Sequence, residues 1–181
     1  MGLDMYLTKK TYIGAEYEHR EVKADINITV MGKPVKIDPK KVSYIQESAM
    51  YWRKANHIHN WFVQNIQDGD DNCAEYPVSR EELKALLDTC KKVANSLKES
   101  PTTKKKFKIG FSGGKDLFED YDVFTNTEVA EELPPTSSGF FFGGTEYGRY
   151  YLKDLEETIK GLEEILADTD TNASYYYQSS W

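Results

Sequence analysis

Histidine is the most versatile catalytic side chain near neutral pH, and two of the three in this chain, His57 and His59, lie in one short stretch. If that stretch is helical, positions two apart point about 200° away from each other, so the pair does not converge on one metal. Position 59 falls on the apolar side, which predicts a core histidine with satisfied hydrogen bonds. Position 57 falls on the other side, which predicts an exposed residue. His19 lies in a polar stretch without an evident partner.

A second group with chemical potential is Gly143, Gly144 and Thr145, which precede the last long amphipathic segment. The free backbone N–H groups of a helix start can bind an anion, and Thr145 is placed to cap such a helix. The same residues are also typical of a strand-to-helix turn whose neighbours, residues 140–142, fill the core. A site for a nucleotide or small molecule near His57 and these glycines is therefore one of the two functions that we consider.

Two other loops contain suggestive residue types. The letters SGGKD at residues 112–116 resemble the pyrophosphate loop of the ATP pyrophosphatase family, and a strand-like segment precedes them. However, the closing serine of that family is Leu117 here, and residues 118–122 have no helical apolar face. We interpret Gly113 and Gly114 as a hairpin turn.

The other loop places oxygen-bearing side chains at alternating positions, Asp68, Asp70 and Asn72, like the start of an EF-hand. Its sixth position is Cys73 instead of glycine, and its twelfth is Ser79 instead of glutamate. Without the final bidentate carboxylate, we expect calcium affinity in the millimolar range at most. We expect neither a metal nor a cofactor, and the interpretation is a solvated turn.

Charge is distributed unevenly along the 181 residues, although the net formal charge is only -7. Residues 91–115 contain eight Lys and one Glu, whereas residues 116–170 contain fifteen acidic side chains against three basic ones. Such a segment disfavours direct binding to nucleic-acid phosphates, and it favours solubility, cation binding or a basic protein partner. The acidic residues that we expect to contact the partner are Glu119, Asp120, Asp122, Glu128, Glu131, Glu132, Glu156 and Glu157.

The chain shows no secretory signal and no apolar run of membrane-spanning length, so we expect a cytoplasmic protein that makes no contact with a membrane. Cys73 and Cys90 form no CxxC pair, and we expect both to be reduced thiols.

These residues must be positioned by a small number of elements. A central helix is predicted at residues 46–66, because apolar residues recur there at helical spacing. Its predicted core face contains two large aromatics, Trp52 and Phe62, and a third, Trp61, also lies in the stretch. The full set on the face is Ile45, Ala49, Trp52, Ala55, His59, Phe62, Val63 and Ile66.

Alternation predicts strands at residues 2–8, 21–30 and 175–181, with hairpins around Gly32 and residues 106–124. A capping box at Ser79 and Glu82 predicts a second helix, and a short helix should follow Thr125. We therefore predict a single α+β domain over residues 1–181, in which an antiparallel sheet from both ends of the chain carries about three helices on one face.

Four short motifs in the chain resemble a family of small uncharacterised proteins of bacteria, phages and other mobile elements. They are MGLDMYL at residues 1–7, YWRKAN with the following H and WF at residues 51–62, SGFFFG at residues 138–143, and YYQSSW at residues 176–181. Relative to that family, residues 100–126 look like a peripheral hairpin insertion. The resemblance implies a mobile-element setting but no activity.

These observations lead to two hypotheses for function. The first is a phage or mobile-element accessory protein that is not an enzyme. It would use the acidic surface to bind a basic host protein or nucleoprotein complex, and so inhibit a host defence system in the manner of an anti-CRISPR protein. The alternative is a nucleotide or small-molecule binder, or a small enzyme, with its site near His57 and residues 143–145. The oligomeric state is left open.

Overall fold

A computed structural model describes residues 2–13, 26–139, 141–170 and 172–181, and the structural statements below concern these residues. Residues 21–25 of the predicted strand at residues 21–30, and His19, lie outside them. The elements are β1 (Asp4–Tyr12), β2 (Ile28–Val30), β3 (Lys33–Val35), a 3-10 turn (Pro39–Lys41), β4 (Tyr44–Arg53), α1 (Asn56–Asn65), β5 (Tyr76–Val78), α2 (Arg80–Lys98), β6 (Thr102–Ser112), β7 (Lys115–Phe124), α3 (Glu128–Glu132), α4 (Arg149–Ala167) and β8 (Ala173–Ser180).

The main sheet has four antiparallel strands in the order β4-β1-β8-β5, so β1 and β8 are its central pair. On β1, Met5 and Leu7 are fully buried while Tyr6 between them is exposed, as the alternation predicted. The buried side packs into one core with α1, α2 and α4. The predicted α+β class with an antiparallel sheet is confirmed.

The predicted central helix at residues 46–66 is wrong in its first half, which is the edge strand β4. Residues 44–53 pair with β1 along its whole length, with a bulge opposite Leu7 and Thr8. Helix α1 begins only at Asn56, and no side chain caps it at Ala55. Trp52 and Phe62 are nevertheless both core residues, with ring centroids 5.9 Å apart, although they come from different elements.

Of the other helices, α2 begins at its predicted capping residue, whereas α3 and α4 do not. The capping box of α2 is present, with Ser79 and Glu82 bonded reciprocally. Thr145 does not cap α4, which starts at Arg149, and the short helix α3 follows Thr127 instead of Thr125. Asp4 accepts a hydrogen bond from the Tyr51 hydroxyl, and its carboxylate lies 3.9 Å from the Arg53 guanidinium.

Two separate two-stranded hairpins complete the fold, β2 with β3 and β6 with β7. At the tip of the second, Gly113 and Gly114 have φ of 59° and 77°, which is the conformation that a tight hairpin turn requires. The hairpin interpretation of residues 112–116 is therefore confirmed. Across the described ranges, none of the helices has the length and apolar character needed to cross a membrane.

Candidate functional site

A cavity of about 450 Å³ lies where the end of β4, the start of α1, the β6–β7 hairpin and the start of α4 meet. This volume is within the range of typical small-molecule sites. The side chains and backbone segments around it come from four separate parts of the chain. Its lining residues are Arg53, Lys54, His57, Phe107, Glu119, Tyr121, Gly143, Gly144, Glu146, Tyr150, Tyr151 and Asp154.

His57 forms part of this cavity wall and is 2% exposed, so the prediction that it lies on the surface is wrong. The error follows from the misplaced helix start, since α1 has only one residue before His57. Its ring lies 4.1 Å from that of Tyr151, and its Nε2 is buried without a hydrogen-bond partner among the described residues. Burial lowers the pKa of His57 to about 3, so the imidazole is neutral at physiological pH.

Asp154 is the second unusual titratable group of the cavity. It lies one turn after Tyr151 on α4, and burial raises the pKa of its carboxyl to about 7. Burial also raises the pKa of the Tyr151 hydroxyl, which donates to the carbonyl oxygen of Pro134 at 3.1 Å. Near neutral pH, the Asp154 carboxyl therefore exists in both protonation states, and it can donate or accept a hydrogen bond.

The glycines that the sequence pointed to, beside His57, do line the cavity. Gly143 has a φ of +97°, and a Cβ at this position would lie 2.8 Å from the carbonyl oxygen of Lys54. The residue Lys54 also has a positive φ, of 61°. Close approach of the two backbones requires glycine at position 143. At Gly144, by contrast, a Cβ would meet nothing within 4 Å. Thr145 is not part of the lining, and its carbonyl accepts from Thr136 at 3.1 Å.

The β6–β7 hairpin forms another part of the cavity lining and packs against the start of α4. The rings of Tyr121 and Tyr150 are stacked at 5.5 Å, and the Tyr121 hydroxyl accepts from the Tyr150 backbone N–H at 3.0 Å. A Cβ at Gly148 would lie 2.4 Å from the Tyr121 ring, so the absence of a side chain at Gly148 allows the hairpin to approach the start of α4 this closely. Phe107 packs edge-on to Tyr121 at 5.1 Å. The hairpin thereby supplies an aromatic surface to the cavity.

The acidic residues proposed for partner binding are partly neutralised by this hairpin. Strand pairing places Asp120 opposite Lys106 and Asp122 opposite Lys104. Glu119 lines the cavity and lies 3.4 Å from Arg149. The lysine-rich and acidic segments that are separate in sequence are therefore neighbours in space, so the hairpin presents mixed charge.

On the helices the acidic residues divide into two groups. Glu156 pairs with Lys98 at 2.8 Å, and Glu157 lies 3.5 Å from Lys153. Those of α3 are largely exposed and form no ion pair with any described residue; they are Glu128, Glu131 and Glu132. Among the proposed partner-binding residues, these three keep an unpaired negative charge on one short element.

His59 is buried and belongs to a separate hydrogen-bond network, and its prediction as a satisfied core histidine is confirmed. Its Nδ1 lies 2.8 Å from the Tyr177 hydroxyl, and its Nε2 lies 2.9 Å from an oxygen of Asp71. The other Asp71 oxygen accepts from the indole N–H of Trp181 at 3.0 Å. The network connects α1, the loop after it and β8, so we assign it a structural role.

The EF-hand-like loop uses its polar groups internally. The Asn72 amide donates to Asp70 at 2.7 Å and to the Tyr76 hydroxyl at 2.9 Å, and its oxygen accepts from the Ala74 N–H at 2.9 Å. Within the described ranges, no group of three or more His, Cys, Asp or Glu is arranged to hold a metal ion. The Cys73 and Cys90 thiols are free.

Titration of His57 and Asp154 predicts opposing effects of pH on stability. Between pH 6.5 and about 3, His57 is protonated only in the unfolded chain, so this residue makes stability fall as the pH falls. Between pH 3.8 and about 7, only the folded chain keeps Asp154 protonated, so this residue makes stability fall as the pH rises. Each pKa unit corresponds to about 1.4 kcal/mol at full effect.

The free energy of unfolding of Asp154→Asn, relative to that of the original chain, should therefore be higher at pH 8 than at pH 4. The expected difference is about 1–3 kcal/mol after allowance for the partial exposure of Asp154. Denaturant melts of both proteins across this pH range measure the difference. As a control, Glu164→Gln removes an exposed carboxylate from the same helix. Identical pH profiles of Asp154→Asn and the original chain would contradict the prediction.

Comparisons with known protein families, with curated proteins and with solved structures give no match to this chain. Any function proposed for it therefore rests on its own sequence and structure.

Proposed function

We propose that this protein binds a small organic molecule in the cavity beside His57. The observation that carries the proposal is the buried Nε2 of His57, a residue that lines the cavity, because this atom has no hydrogen-bond partner among the described residues. Leaving a buried polar atom unpaired costs about 1–3 kcal/mol. Native structures rarely retain such an atom without a role, and a ligand that bonds to His57 would supply the missing partner.

The other cavity groups suit recognition of a small molecule. Four aromatic rings provide apolar contact area at little cost in side-chain entropy; they belong to Phe107, Tyr121, Tyr150 and Tyr151. The neutral imidazole of His57 and the titrating carboxyl of Asp154 each offer a directional hydrogen bond. A largely apolar pocket with a few polar groups is the usual composition of a ligand site.

Blocking the cavity tests the proposal. Gly144→Phe should abolish ligand binding without unfolding the protein, because its Cβ meets nothing within 4 Å and its φ is not left-handed. The matched control is Gly110→Phe, a glycine of β6 with the same open surroundings but outside the cavity lining. A library of metabolites and nucleotides would be screened against all three proteins by ligand-observed and protein-observed NMR. We expect hits on the original chain and on Gly110→Phe, with shifts at the cavity residues.

The proposal fails if no compound binds at millimolar concentration, or if the compounds that bind do so equally well to Gly144→Phe. Thermal unfolding of each variant serves as the folding check, since a ligand that binds only the folded state raises the midpoint.

We propose, as a second function, that the acidic residues of α3 bind a basic host protein or nucleoprotein complex. The support is their lack of ion pairs with any described residue and the absence of a basic residue in this helix. In the mobile-element setting that the sequence motifs imply, such a partner would be a component of a host defence system.

Charge reversal tests this second proposal. The triple variant Glu128→Lys, Glu131→Lys and Glu132→Lys should lose a partner that the original chain retains from host lysate at low salt and releases as the salt rises. Reversal of Glu156 and Glu157, which are already paired, is the control. Retention of the same partner by the triple variant, or of no basic partner by the original chain, would refute the proposal.

A further inference from the structure

Both helices that border the cavity begin at it. His57 is the second residue of α1, and Tyr150 and Tyr151 are the second and third residues of α4. Neither helix has a side-chain cap at its N-terminus. Of the first N–H groups of α4, that of Tyr150 donates to the Tyr121 hydroxyl. Two helix starts, each with the positive end of a helix dipole, therefore lie at one cavity, and such ends favour a negative charge nearby.

The formal charges of the lining residues are mixed, with Arg53 and Lys54 on one side of the count and Glu119, Glu146 and Asp154 on the other. Glu119 and Glu146 lie on the hairpin side, but each is within ion-pair distance of a cation, Arg149 at 3.4 Å and Lys105 at 3.5 Å. The ammonium group of Lys54, in contrast, forms no ion pair with any described residue. Lys54 is therefore a cavity-lining residue whose charge no described carboxylate neutralises.

Arg53 adds a second positive charge to the same wall, and its nearest carboxylate, Asp4, is 3.9 Å away. Burial of His57 keeps its imidazole uncharged, so His57 provides a hydrogen bond instead of a third cation. The carboxyl of Asp154, which burial holds partly protonated near neutral pH, repels an anion less than an ordinary aspartate would. The cavity thus combines two cationic side chains with an uncharged imidazole, a partly protonated carboxyl and two glutamates that each lie near a cation.

The lining of the cavity also contains aromatic rings. Tyr150 is 59% exposed, and its ring stacks on Tyr121 with an interplanar angle of 18°. Tyr151 and His57 form a second pair of rings, at 33°. Flat apolar surfaces of this kind bind flat ring systems by stacking and edge contacts.

We propose that the ligand is a small anion that contains an aromatic ring. Its acidic group lies at the starts of α1 and α4 beside Lys54, and its ring packs against the tyrosines, where it bonds to His57. Nucleoside monophosphates and aromatic carboxylic acids share this chemistry. The inference rests on the proposed small-molecule function and specifies the class of ligand that the cavity takes.

Matched ligands of different charge test the class. Isothermal titration calorimetry would compare adenosine 5′-monophosphate with adenosine, and benzoate with benzamide and benzylamine. Each anion should bind more tightly than its neutral counterpart, by about tenfold, because hydrogen bonds to a charged group are the stronger ones. Comparison of the adenosine series with the benzoate series distinguishes a nucleoside monophosphate from an aromatic carboxylic acid as the ligand. The two classes differ in their acidic group and in the size of their ring.

Lys54→Gln should remove most of this preference for the anion while leaving affinity for the neutral compound unchanged. Lys160→Gln, on the exposed side of α4, makes the same change in net charge and should have no effect. An unchanged preference in Lys54→Gln would overturn the role of that lysine and with it the proposed position of the acidic group.

The outcomes distinguish this inference from the proposal on which it rests. If neutral or cationic compounds bind as tightly as the anions, and Gly144→Phe abolishes that binding, the cavity is a ligand site but the anionic class is wrong. If none of the five compounds binds while other compounds in the library do, the class is also wrong. If nothing binds in the cavity at all, both fail.

Discussion

Replacing Phe62 with alanine is expected to lower the free energy of unfolding by about 3–5 kcal/mol, the range for truncating a buried aromatic residue. Phe62 is fully buried, and its ring stacks on that of Tyr177 at 3.8 Å with an interplanar angle of 8°. Trp52 and Trp61 contact it edge-on, at 5.9 Å and 5.4 Å. The variant would lose these contacts and leave a cavity at the junction of α1, β4 and β8.

Urea melts monitored by circular dichroism measure this loss, and a domain of this size has only about 5–15 kcal/mol to lose. Phe111→Ala is the matched control, since Phe111 is 68% exposed near the hairpin tip and should change stability by no more than about 0.5 kcal/mol. Equal losses in the two variants would contradict the core assignment. Trp52→Ala should resemble Phe62→Ala, with the added loss of the indole hydrogen bond to Thr158.

Replacing His59 with alanine is expected to cost about 3–4 kcal/mol, part of it from the deleted ring and part from the groups left behind. The Tyr177 hydroxyl, in a fully buried residue, would lose its partner at 2.8 Å, and Asp71 would lose its partner at 2.9 Å. Burial of an unpaired hydroxyl is the main reason to expect a large effect.

A double-mutant cycle with Tyr177→Phe isolates the hydrogen bond. Each single variant breaks the same contact, so the two losses should not add, and a coupling energy of about 1 kcal/mol or more is expected. Asn65→Ala controls for a polar contact made within α1 alone, because the Asn65 amide donates to the carbonyl of Trp61 in the same helix. Additive losses from His59→Ala and Tyr177→Phe would mean that the contact contributes nothing measurable.

The secondary structure was predictable where a local signal was present. The capping box at Ser79, the glycines at the hairpin tip and the alternation at residues 3–7 each predicted the correct element. The prediction for residues 44–53 failed because most of this edge strand is exposed, so its sequence shows no apolar alternation of period two. Its strand conformation is set by pairing with β1, a contact about 40 residues distant in sequence, and no capping residue marks the start of α1.

The candidate site was predictable only in part. His57 and the Gly143–Gly144 pair stood out in the sequence, and the fold brings them to one cavity. The sequence did contain a signal for Asp154, a carboxylate one residue before Leu155 in the buried stripe of α4. Phe107 and Tyr121 had no such signal, because the approach of the hairpin to α4 depends on a tertiary contact at Gly148.

The central pair of the main sheet has a consequence for the order of folding. Strands β1 and β8 join residues separated by 168 positions, with Thr8 opposite Tyr176. Pairings this distant close a long loop late and slow the folding rate. During synthesis, β1 can pair with β4 but has one unpaired edge until β8 has left the ribosome. An unpaired strand edge is a template for aggregation. A nascent chain stalled before residue 173 should therefore depend on a chaperone more than the released protein does.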